Sequence, residues 1–312
     1  MDKGSEQTDR WGRIYKRRRA EYVTEFPSLL DYYSFVFHFP GLLGGPNTFY
    51  REYIDVMNNV RYPDGKLPSS RLWHVLKCFL LGWMNFGIFI AGSIYLPISY
   101  LLTEEYGQRN LLVRIWLMYL TLLAVRFRYY GLWKLGESLC VFDGFGEQPN
   151  GEWGGISNID ILKFETTTSM SAATHFWNKR TQKWLQMCIY ERSNFNQFAV
   201  FMVSAFWHGF YPAYYLCFGL GSILQYANHQ TSRKLWPYVK DTKWEWLYLC
   251  IGNICVMTCG SFMFEAMNNY SFELAWLGWK RCSFVGLTGC VIVAVILTLL
   301  PYPPKDMKAK KE

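Results

Sequence analysis

The sequence is poor in charge, and its charged residues are unevenly distributed. Only 18% of the 312 residues are charged, whereas 51% are hydrophobic. Five runs contain no Asp, Glu, Lys or Arg: residues 32–50, 78–103, 193–232, 246–264 and 282–304. A soluble domain would interrupt its apolar residues with charge every few positions. Several of the runs reach the roughly 20 residues that an α-helix needs to cross a bilayer, so the pattern predicts a membrane protein that crosses the bilayer more than once.

Closely spaced cysteine pairs are missing as well. None of the nine cysteines belongs to a Cys-x-x-Cys pair. Most of them lie inside apolar runs: Cys78, Cys217, Cys250, Cys255, Cys259 and Cys290. Thiols in such surroundings behave as small hydrophobic groups. The sequence therefore indicates neither a disulfide framework nor a zinc site, and we expect no bound metal.

A cleavable signal peptide is not visible, because the first 25 residues are polar and have no apolar core. We expect residues 1–25 to form a polar cytosolic leader and residues 305–312 a basic cytosolic tail, because basic residues beside spans favour the cytosolic side. These basic residues are Lys16, Arg17, Arg18, Arg19, Lys305, Lys308, Lys310 and Lys311. No basic face interleaved with aromatic residues accompanies them, so we expect no nucleic-acid partner.

The apolar runs predict an all-α fold, a polytopic transmembrane helical bundle that occupies residues 26–304. Residues 78–102 predict a transmembrane helix with Pro97 near its end. Two further spans fit residues 246–266 and 282–300, because each is a nearly uncharged run of suitable length.

Two other apolar segments are harder to assign. Residues 194–228 can form two helices or one long kinked helix, with Pro212 as the break. Residues 115–125 are short and lie between Arg114 and Arg126, so they can span a bilayer only if one arginine faces protein or extends to the surface.

Two regions predict helices that do not cross the membrane. Residues 34–46, S-F-V-F-H-F-P-G-L-L-G-G-P, are apolar but broken by proline and glycine, which favours a short or re-entrant segment. Residues 126–192 form the most polar internal region and contain many aromatic residues, so we expect interfacial helices there.

A histidine lies near the middle of the longest uncharged run, residues 193–232. His208 lies in S-A-F-W-H-G, and no ion-pair partner can be identified nearby. Imidazole is the usual general base at neutral pH, and burial favours its neutral, proton-accepting form. The alternative is a packed histidine on an apolar helix. A Ser204–His208 nucleophile pair at i, i+4 is also conceivable, but no acidic residue follows to orient the imidazole.

Asn178 lies in H-F-W-N-K-R-T-Q-K-W-L, residues 175–185. Trp177, Thr181 and Trp184 follow a spacing of i, i+4 and i+7, which predicts a shared helical face. Taken alone, the segment indicates an amphipathic interfacial helix with aromatic anchors. A buried asparagine there could instead donate to a carbonyl oxygen or orient an alcohol.

Acidic residues accompany glycines and aromatics in W-K-L-G-E-S-L-C-V-F-D-G-F-G, residues 133–146. Glu137 and Asp143 are the two carboxylates of this stretch. Taken alone, it is typical of a helix that ends in a glycine-rich turn.

The combination of these stretches resembles the signature of the membrane-bound O-acyltransferase family. The Asn178 motif W-N-x-x-T-x-x-W-L is followed, thirty residues on, by His208 in its own motif. Further similarity lies in F-P-G-L-L-G-G-P-N-T-F-Y-R-E-Y-I-D-V-M (39–57), in residues 133–146 and in I-Y-E-R (189–192). These motifs resemble the lysophospholipid acyltransferase branch more than the branches that acylate proteins or sterols.

The resemblance implies transfer of a fatty acyl group from acyl-CoA, the co-substrate, to the free hydroxyl of a lysophospholipid in the bilayer. It implies that His208 removes the hydroxyl proton and that Asn178 binds the thioester carbonyl or holds the acceptor. It also implies a set of substrate-binding residues: Trp177, Thr181, Trp184, Trp207 and Glu137. No other cofactor is implied. The ending K-A-K-K-E resembles a dilysine retrieval signal, which predicts a multi-pass protein of the endoplasmic reticulum membrane.

One departure from the family pattern leaves alternatives open. Members generally carry several spans before the G-G-P segment, so we expect this chain to lack the usual N-terminal spans. The alternatives are an acyltransferase of the same family that acts on a diacylglycerol, a sterol or a protein, and a shortened non-catalytic membrane protein.

Overall fold

The computed structural model describes residues 12, 14, 21, 23, 25–42 and 44–304. Over these residues the structure is helical, and its only β-type pairing is an isolated bridge between Glu147 and Trp153. The predicted all-α class is therefore confirmed. Most of the leader (1–25) and all of the tail (305–312) fall outside the described residues, together with their basic clusters and the dilysine pattern.

The chain divides into two compact units. Unit 1 comprises residues 1–84 and 131–158, and unit 2 comprises residues 85–130 and 159–312. In chain order, the described α-helices are α1 (Leu29–Val36), α2 (Phe39–Leu42), α3 (Tyr50–Met57), α4 (Ser70–Tyr95), α5 (Glu104–Gln108), α6 (Leu111–Phe142), α7 (Ile161–Glu165), α8 (Met170–Phe176), α9 (Lys179–Leu185), α10 (Gln197–His208), α11 (Pro212–Lys234), α12 (Trp236–Val239), α13 (Glu245–Asn269), α14 (Phe272–Arg281) and α15 (Val285–Leu299).

Two helical segments are long and apolar enough to cross a membrane. The first is α4 with the 3₁₀ helix that follows it, Ser70–Leu102, and the second is α13. Helix α4 ends at Tyr95, two residues before Pro97, which has no N–H with which to continue the helix. These segments confirm the helices predicted over 78–102 and 246–266.

The third predicted span, residues 282–300, follows a sharp bend of the chain. Helices α14 and α15 pass the same length and composition test only as a pair, and they meet at 81°. Ser283 and Phe284, which join them, both have positive φ, so the α-helical backbone cannot continue through this point. The predicted helix over 282–300 is therefore present as α15, but it begins at Val285, and its 15 residues pass the test only together with α14.

Close backbone approach explains two glycines of unit 1. A Cβ on Gly136 would lie 2.7 Å from the Cα of Gly45, and a Cβ on Gly45 would lie 1.9 Å from the carbonyl oxygen of Pro40. The missing side chain of Gly136 therefore lets α6 approach the G-G-P segment, and that of Gly45 lets this segment turn back against Pro40. The adjacent core of unit 1 consists of Tyr53, Cys140, Val141, Phe145, Trp153 and Ile156.

Arg126 in α6 faces protein. It is 2% exposed, and its guanidinium donates to both carboxylate oxygens of Glu165 at 2.9 and 3.0 Å. The Tyr130 hydroxyl donates to the same carboxylate at 2.5 Å, and the guanidinium also donates to Ser261 at 3.3 Å. A buried arginine needs such partners, and this network fastens α7 to α6 and α13.

The segment 194–228 forms two helices, α10 and α11. Gly209 ends α10 with a φ of 128° and a ψ of −176°, a conformation that L side chains rarely adopt. Pro212 is the first residue of α11. The N–H at this position has no partner within a helix, so proline, which has none, is well tolerated there. The predicted break at Pro212 is confirmed in its two-helix form.

Removing the Glu165 carboxylate should destabilise the protein strongly, because it would leave the Arg126 guanidinium buried without its counter-charge. We expect Glu165→Ala to lower the free energy of unfolding by about 3 kcal/mol. Denaturation of the purified chain in detergent micelles measures this value. The control is Glu105→Ala, which removes one partner of the solvent-exposed Glu105–Arg109 pair and should leave the unfolding transition unchanged. Equal transitions for both variants would contradict a structural role for the buried pair.

Candidate active site

His208 is the last residue of α10, and aromatic rings surround its half-buried imidazole. The ring of Phe218 is stacked on it, with centroids 5.1 Å apart and planes inclined by 29°. The rings of Trp207 and Tyr214 meet it edge-on at 4.7 and 5.8 Å. The imidazole is thus oriented by packing.

The electrostatic environment of His208 favours the neutral imidazole. Among the described residues, no carboxylate lies within ion-pair distance of it, and Ser204 makes no hydrogen bond to it. Helix α10 has 12 residues, so it is too short to cross a bilayer alone. Burial lowers the pKa of His208 to about 4. At neutral pH the ring is therefore a proton acceptor, which is the state that a general base requires.

Asn178 lies in the left-handed region, with a φ of 48° and a ψ of 47°. Asparagine tolerates this conformation better than most residues do. Although Asn178 directly precedes α9, its side chain makes no capping hydrogen bond to that helix. The half-buried amide is consequently not committed to its own helix and can bind another group.

The helical face expected for Trp177, Thr181 and Trp184 is wrong at its first member. Trp177 has an extended backbone after the end of α8, so the chain is not helical across Trp177 and Asn178. Thr181 and Trp184 do share a face of α9, three residues apart. The 3.6-residue period cannot reveal the break, because it assumes a continuous helix.

Trp177 is a packing residue of unit 2. Its ring centroid lies 5.0 Å from that of Phe164 and 5.1 Å from that of Phe264, and Tyr129 and Tyr130 complete the surroundings at 5.6 and 5.9 Å. Aromatic pairs at such distances are stabilising beyond their buried area. Trp177 thus holds the backbone next to Asn178 in place.

The substrate-binding roles of Trp177, Thr181, Trp184 and Trp207 stay predictions. Thr181 and Trp184 are half-buried. Trp207 is 55% exposed even though its edge contacts His208. With Asn178 and His208, these four residues belong to unit 2, whereas the fifth predicted binding residue, Glu137, belongs to unit 1.

Glu137 is the centre of a buried charge cluster in unit 1. Its carboxylate oxygens lie 2.9 Å from His74 Nε2 and 2.7 Å from Lys134 Nζ, which also donates to Ser157 at 3.2 Å. Burial would raise the pKa of Glu137, but the hydrogen bond from His74 and the ammonium of Lys134 hold that pKa at about 2. The ionised carboxylate is therefore fully partnered inside unit 1, and its predicted substrate-binding role stays a prediction.

The same cluster contains three possible metal ligands. One atom each from His74, Cys78 and Glu137 lies within 4.8 Å of the others. The Lys134 ammonium already neutralises the carboxylate and occupies one of its oxygens. A second cation would have to displace it, so we assign no metal to this group.

Sequence reasoning missed the residues that hold the backbone next to Asn178. Phe164 and Phe264 contact Trp177, and Arg126 with Glu165 fixes the helix that carries Phe164. Aromatic residues form 19% of the chain, so no single ring stands out. The one feature of the sequence that points to them is Arg126. An arginine beside an apolar segment must have a partner in the protein.

The sequence profile of the membrane-bound O-acyltransferase family matches residues 13–284. Lysophospholipid acyltransferase 6 of Drosophila melanogaster is 31% identical over 249 residues, which is 72% of this chain and 34% of that protein. Lysophospholipid acyltransferase of Schizosaccharomyces pombe is 29% identical over 250 residues, which is 72% of this chain and 47% of that protein. Membrane-bound glycerophospholipid O-acyltransferase 2 of Gallus gallus is 30% identical over 312 residues, 92% of this chain and 59% of that protein.

The chain therefore spans between about a third and three fifths of the length of these relatives. The profile match covers most of the chain and includes both the Asn178 and the His208 motifs. The apolar helices and this match also confirm the predicted membrane location. The chain belongs to the membrane-bound O-acyltransferase family, as the resemblance of its motifs predicts.

Proposed function

We propose that the chain is an acyl-CoA-dependent O-acyltransferase that acylates the free hydroxyl of a lysophospholipid. The observation that carries this proposal is the neutral, aromatic-packed imidazole of His208 at the end of α10. The names of the relatives support the lysophospholipid as acceptor. Remodelling of phospholipids in the endoplasmic reticulum membrane is the corresponding cellular role.

In the proposed reaction, His208 accepts the proton of the lysophospholipid hydroxyl as the oxygen attacks the thioester carbonyl carbon. The tetrahedral intermediate then collapses, the carbon–sulfur bond breaks, and the coenzyme A thiolate takes the proton back from the imidazolium. The products are a diacylated phospholipid and coenzyme A, with no net change in protonation. Direct transfer of this kind uses no acyl-enzyme, which agrees with the missing hydrogen bond between Ser204 and His208.

The surroundings of His208 suit a base that becomes cationic only during the reaction. Burial keeps the ring neutral beforehand. The stacked Phe218 and the neighbouring Trp207 and Tyr214 offer ring faces and edges, and aromatic faces attract cations. The C-terminal end of a helix also favours positive charge. Both effects stabilise the imidazolium at the moment when it forms.

Asn178 is proposed to donate from its amide to the thioester carbonyl oxygen, which gains negative charge in the intermediate. A donor fixed in advance costs no reorganisation during the reaction. The left-handed backbone and the absence of a capping bond leave the amide free for this task. The packed Trp177 ring restricts the motion of the preceding residue.

We predict that His208→Ala lowers kcat by about 10²- to 10⁴-fold, because it removes the general base. The assay supplies the purified chain in lipid nanodiscs with labelled oleoyl-CoA and lysophospholipids of different headgroups. The control is His175→Ala, which removes an exposed histidine that contacts Phe176 and should leave kcat unchanged. Near wild-type turnover by His208→Ala would refute the assignment of the base.

The same assay separates the competing functions. Diacylglycerol, a sterol and an acceptor peptide are tested beside the lysophospholipids. Turnover with one of these acceptors alone would replace the proposed substrate class. No turnover with any acceptor, from folded protein, would favour a non-catalytic member of the family.

We predict that Asn178→Gly lowers kcat by about 10²- to 10³-fold, as loss of an oxyanion donor does. Glycine adopts the left-handed backbone freely, so this variant should keep the stability of the wild type. Asn178→Ala should lose the same activity and, in addition, about 1 kcal/mol of unfolding free energy, because alanine is strained in this conformation. Full activity of the glycine variant together with an inactive alanine variant would show that only the backbone matters.

The depressed pKa of His208 predicts an unusual pH profile. The base acts when it is neutral, so kcat/KM should be constant near neutrality and fall only as the pH approaches about 4. At pH 5.5 a histidine with a pKa of about 4 is about 97% neutral, whereas one near 6.5 is about 9% neutral. Rates between pH 5 and 8 distinguish the two. A midpoint near 6.5 would contradict the buried, unpaired base.

A further inference from the structure

Tyr270, directly after α13, forms a strained turn. Its φ is 60° and its ψ is −51°, and the N–H of Ser271 donates to the carbonyl of Asn269 at 2.6 Å. This is a γ-turn in its rare, positive-φ form. A bulky side chain avoids positive φ, so contacts of Tyr270 with its surroundings must maintain the turn.

The backbone of the turn binds the start of α11. The carbonyl oxygen of Tyr270 accepts a hydrogen bond from the N–H of Ala213 at 3.2 Å. Ala213 is the second residue of α11, where backbone N–H groups have no partner within the helix. The γ-turn therefore satisfies one of these donors and fixes the point at which α11 begins.

The ring of Tyr270 packs against tyrosines at the start of α11. Its centroid lies 5.3 Å from that of Tyr211 and 6.2 Å from that of Tyr214. The Tyr214 ring in turn lies 5.8 Å from the imidazole of His208. Only residues 209–211 separate His208 from α11, so the backbone and the ring of Tyr270 together hold the short turn that follows the imidazole.

The last turn of α13 is itself secured. The Asn269 amide donates to the Glu265 carboxylate at 2.5 Å and to the Glu265 carbonyl at 3.1 Å. Glu265 is 1% exposed and fits beside Gly278, where a Cβ would lie 1.7 Å from a carboxylate oxygen. The γ-turn thus starts from a fixed helix end, and the position of the Tyr270 carbonyl fixes the start of α11.

We infer that Tyr270 is a positioning residue for His208: its strained γ-turn and its ring set the orientation of the imidazole through Ala213, Tyr211 and Tyr214. This inference rests on the proposed function, in which His208 is the base. A simple connection between α13 and α14 would need neither the strain nor the ring. Backbone strain of this kind persists where the surroundings impose it, and such sites are often functional.

The test compares variants that separate ring, hydroxyl and backbone. Tyr270→Phe keeps the ring and should match the wild type. Tyr270→Gly removes the ring but permits the positive φ without strain, so the relief of strain offsets part of the lost ring contacts and the protein should still fold. The matched control is Phe272→Ala, which removes an aromatic side chain of similar exposure (44%, against 49% for Tyr270) two residues further on.

Steady-state kinetics give the first measurement. Misplacement of a catalytic group reduces the chemical step, so Tyr270→Gly should lower kcat by about tenfold or more. The KM for acyl-CoA should stay within the error of the wild-type value. Tyr211→Ala removes the other ring of the contact and should lower kcat in the same direction, which provides a second test if the glycine variant does not fold.

Chemical modification gives a measurement that does not depend on turnover. Diethyl pyrocarbonate carbethoxylates neutral imidazole, and peptide mass spectrometry reports its rate at His208. We expect faster modification of His208 in Tyr270→Gly and wild-type rates in Tyr270→Phe and Phe272→Ala. This readout separates the inference from the proposed function, because a protein without acyl-transfer activity would still show it. Wild-type modification rates at His208 in both Tyr270→Gly and Tyr211→Ala would overturn the inference.

Discussion

The ring of Phe264 packs against Trp177, and six residues later the carbonyl of Tyr270 binds the first turn of α11. Both contacts come from the last turns and the end of α13. One supports the residue before Asn178, and the other supports the turn after His208. The two proposed catalytic residues are thirty positions apart in the sequence, and a single helix end contacts the supports of both. Any displacement of this helix end would disturb the amide and the imidazole together, so the site depends on how α13 ends.

Ionisable side chains are accommodated in the interior in two different ways. Two ion pairs lie in the interior, since an unpaired buried ion is costly: Arg126 with Glu165 in unit 2, and Glu137 with Lys134 in unit 1. His208 is buried without an ionic partner, so it gives up its proton instead. A carboxylate beside His208 would raise the pKa of the imidazole and keep it protonated nearer to neutral pH. The uncharged run around His208 is therefore what preserves a free base.

Much of the fold could be predicted from the sequence, because spans leave long uncharged runs and Pro212 marks a break. His208 and Asn178 stood out only through the spacing of their motifs. The remaining details depend on contacts that a local pattern does not contain. The chain is not helical between α8 and α9 because Trp177 is extended and Asn178 is left-handed, and periodicity shows neither. The partners of Glu137 include His74, which is distant in sequence. The turn at Tyr270 is held by Tyr211 and Tyr214, which are also far from it along the chain.

The central claim is that Asn178 and His208 act on the same reacting centre. A cryo-electron microscopy structure of the chain with a non-hydrolysable acyl-CoA analogue and a lysophospholipid tests it most directly. In that complex the Asn178 amide should lie within hydrogen-bond distance of the carbonyl oxygen of the analogue, and the His208 imidazole within hydrogen-bond distance of the acceptor hydroxyl. A complex whose carbonyl and hydroxyl bind away from both residues would show that Asn178 and His208 do not act on one reacting centre.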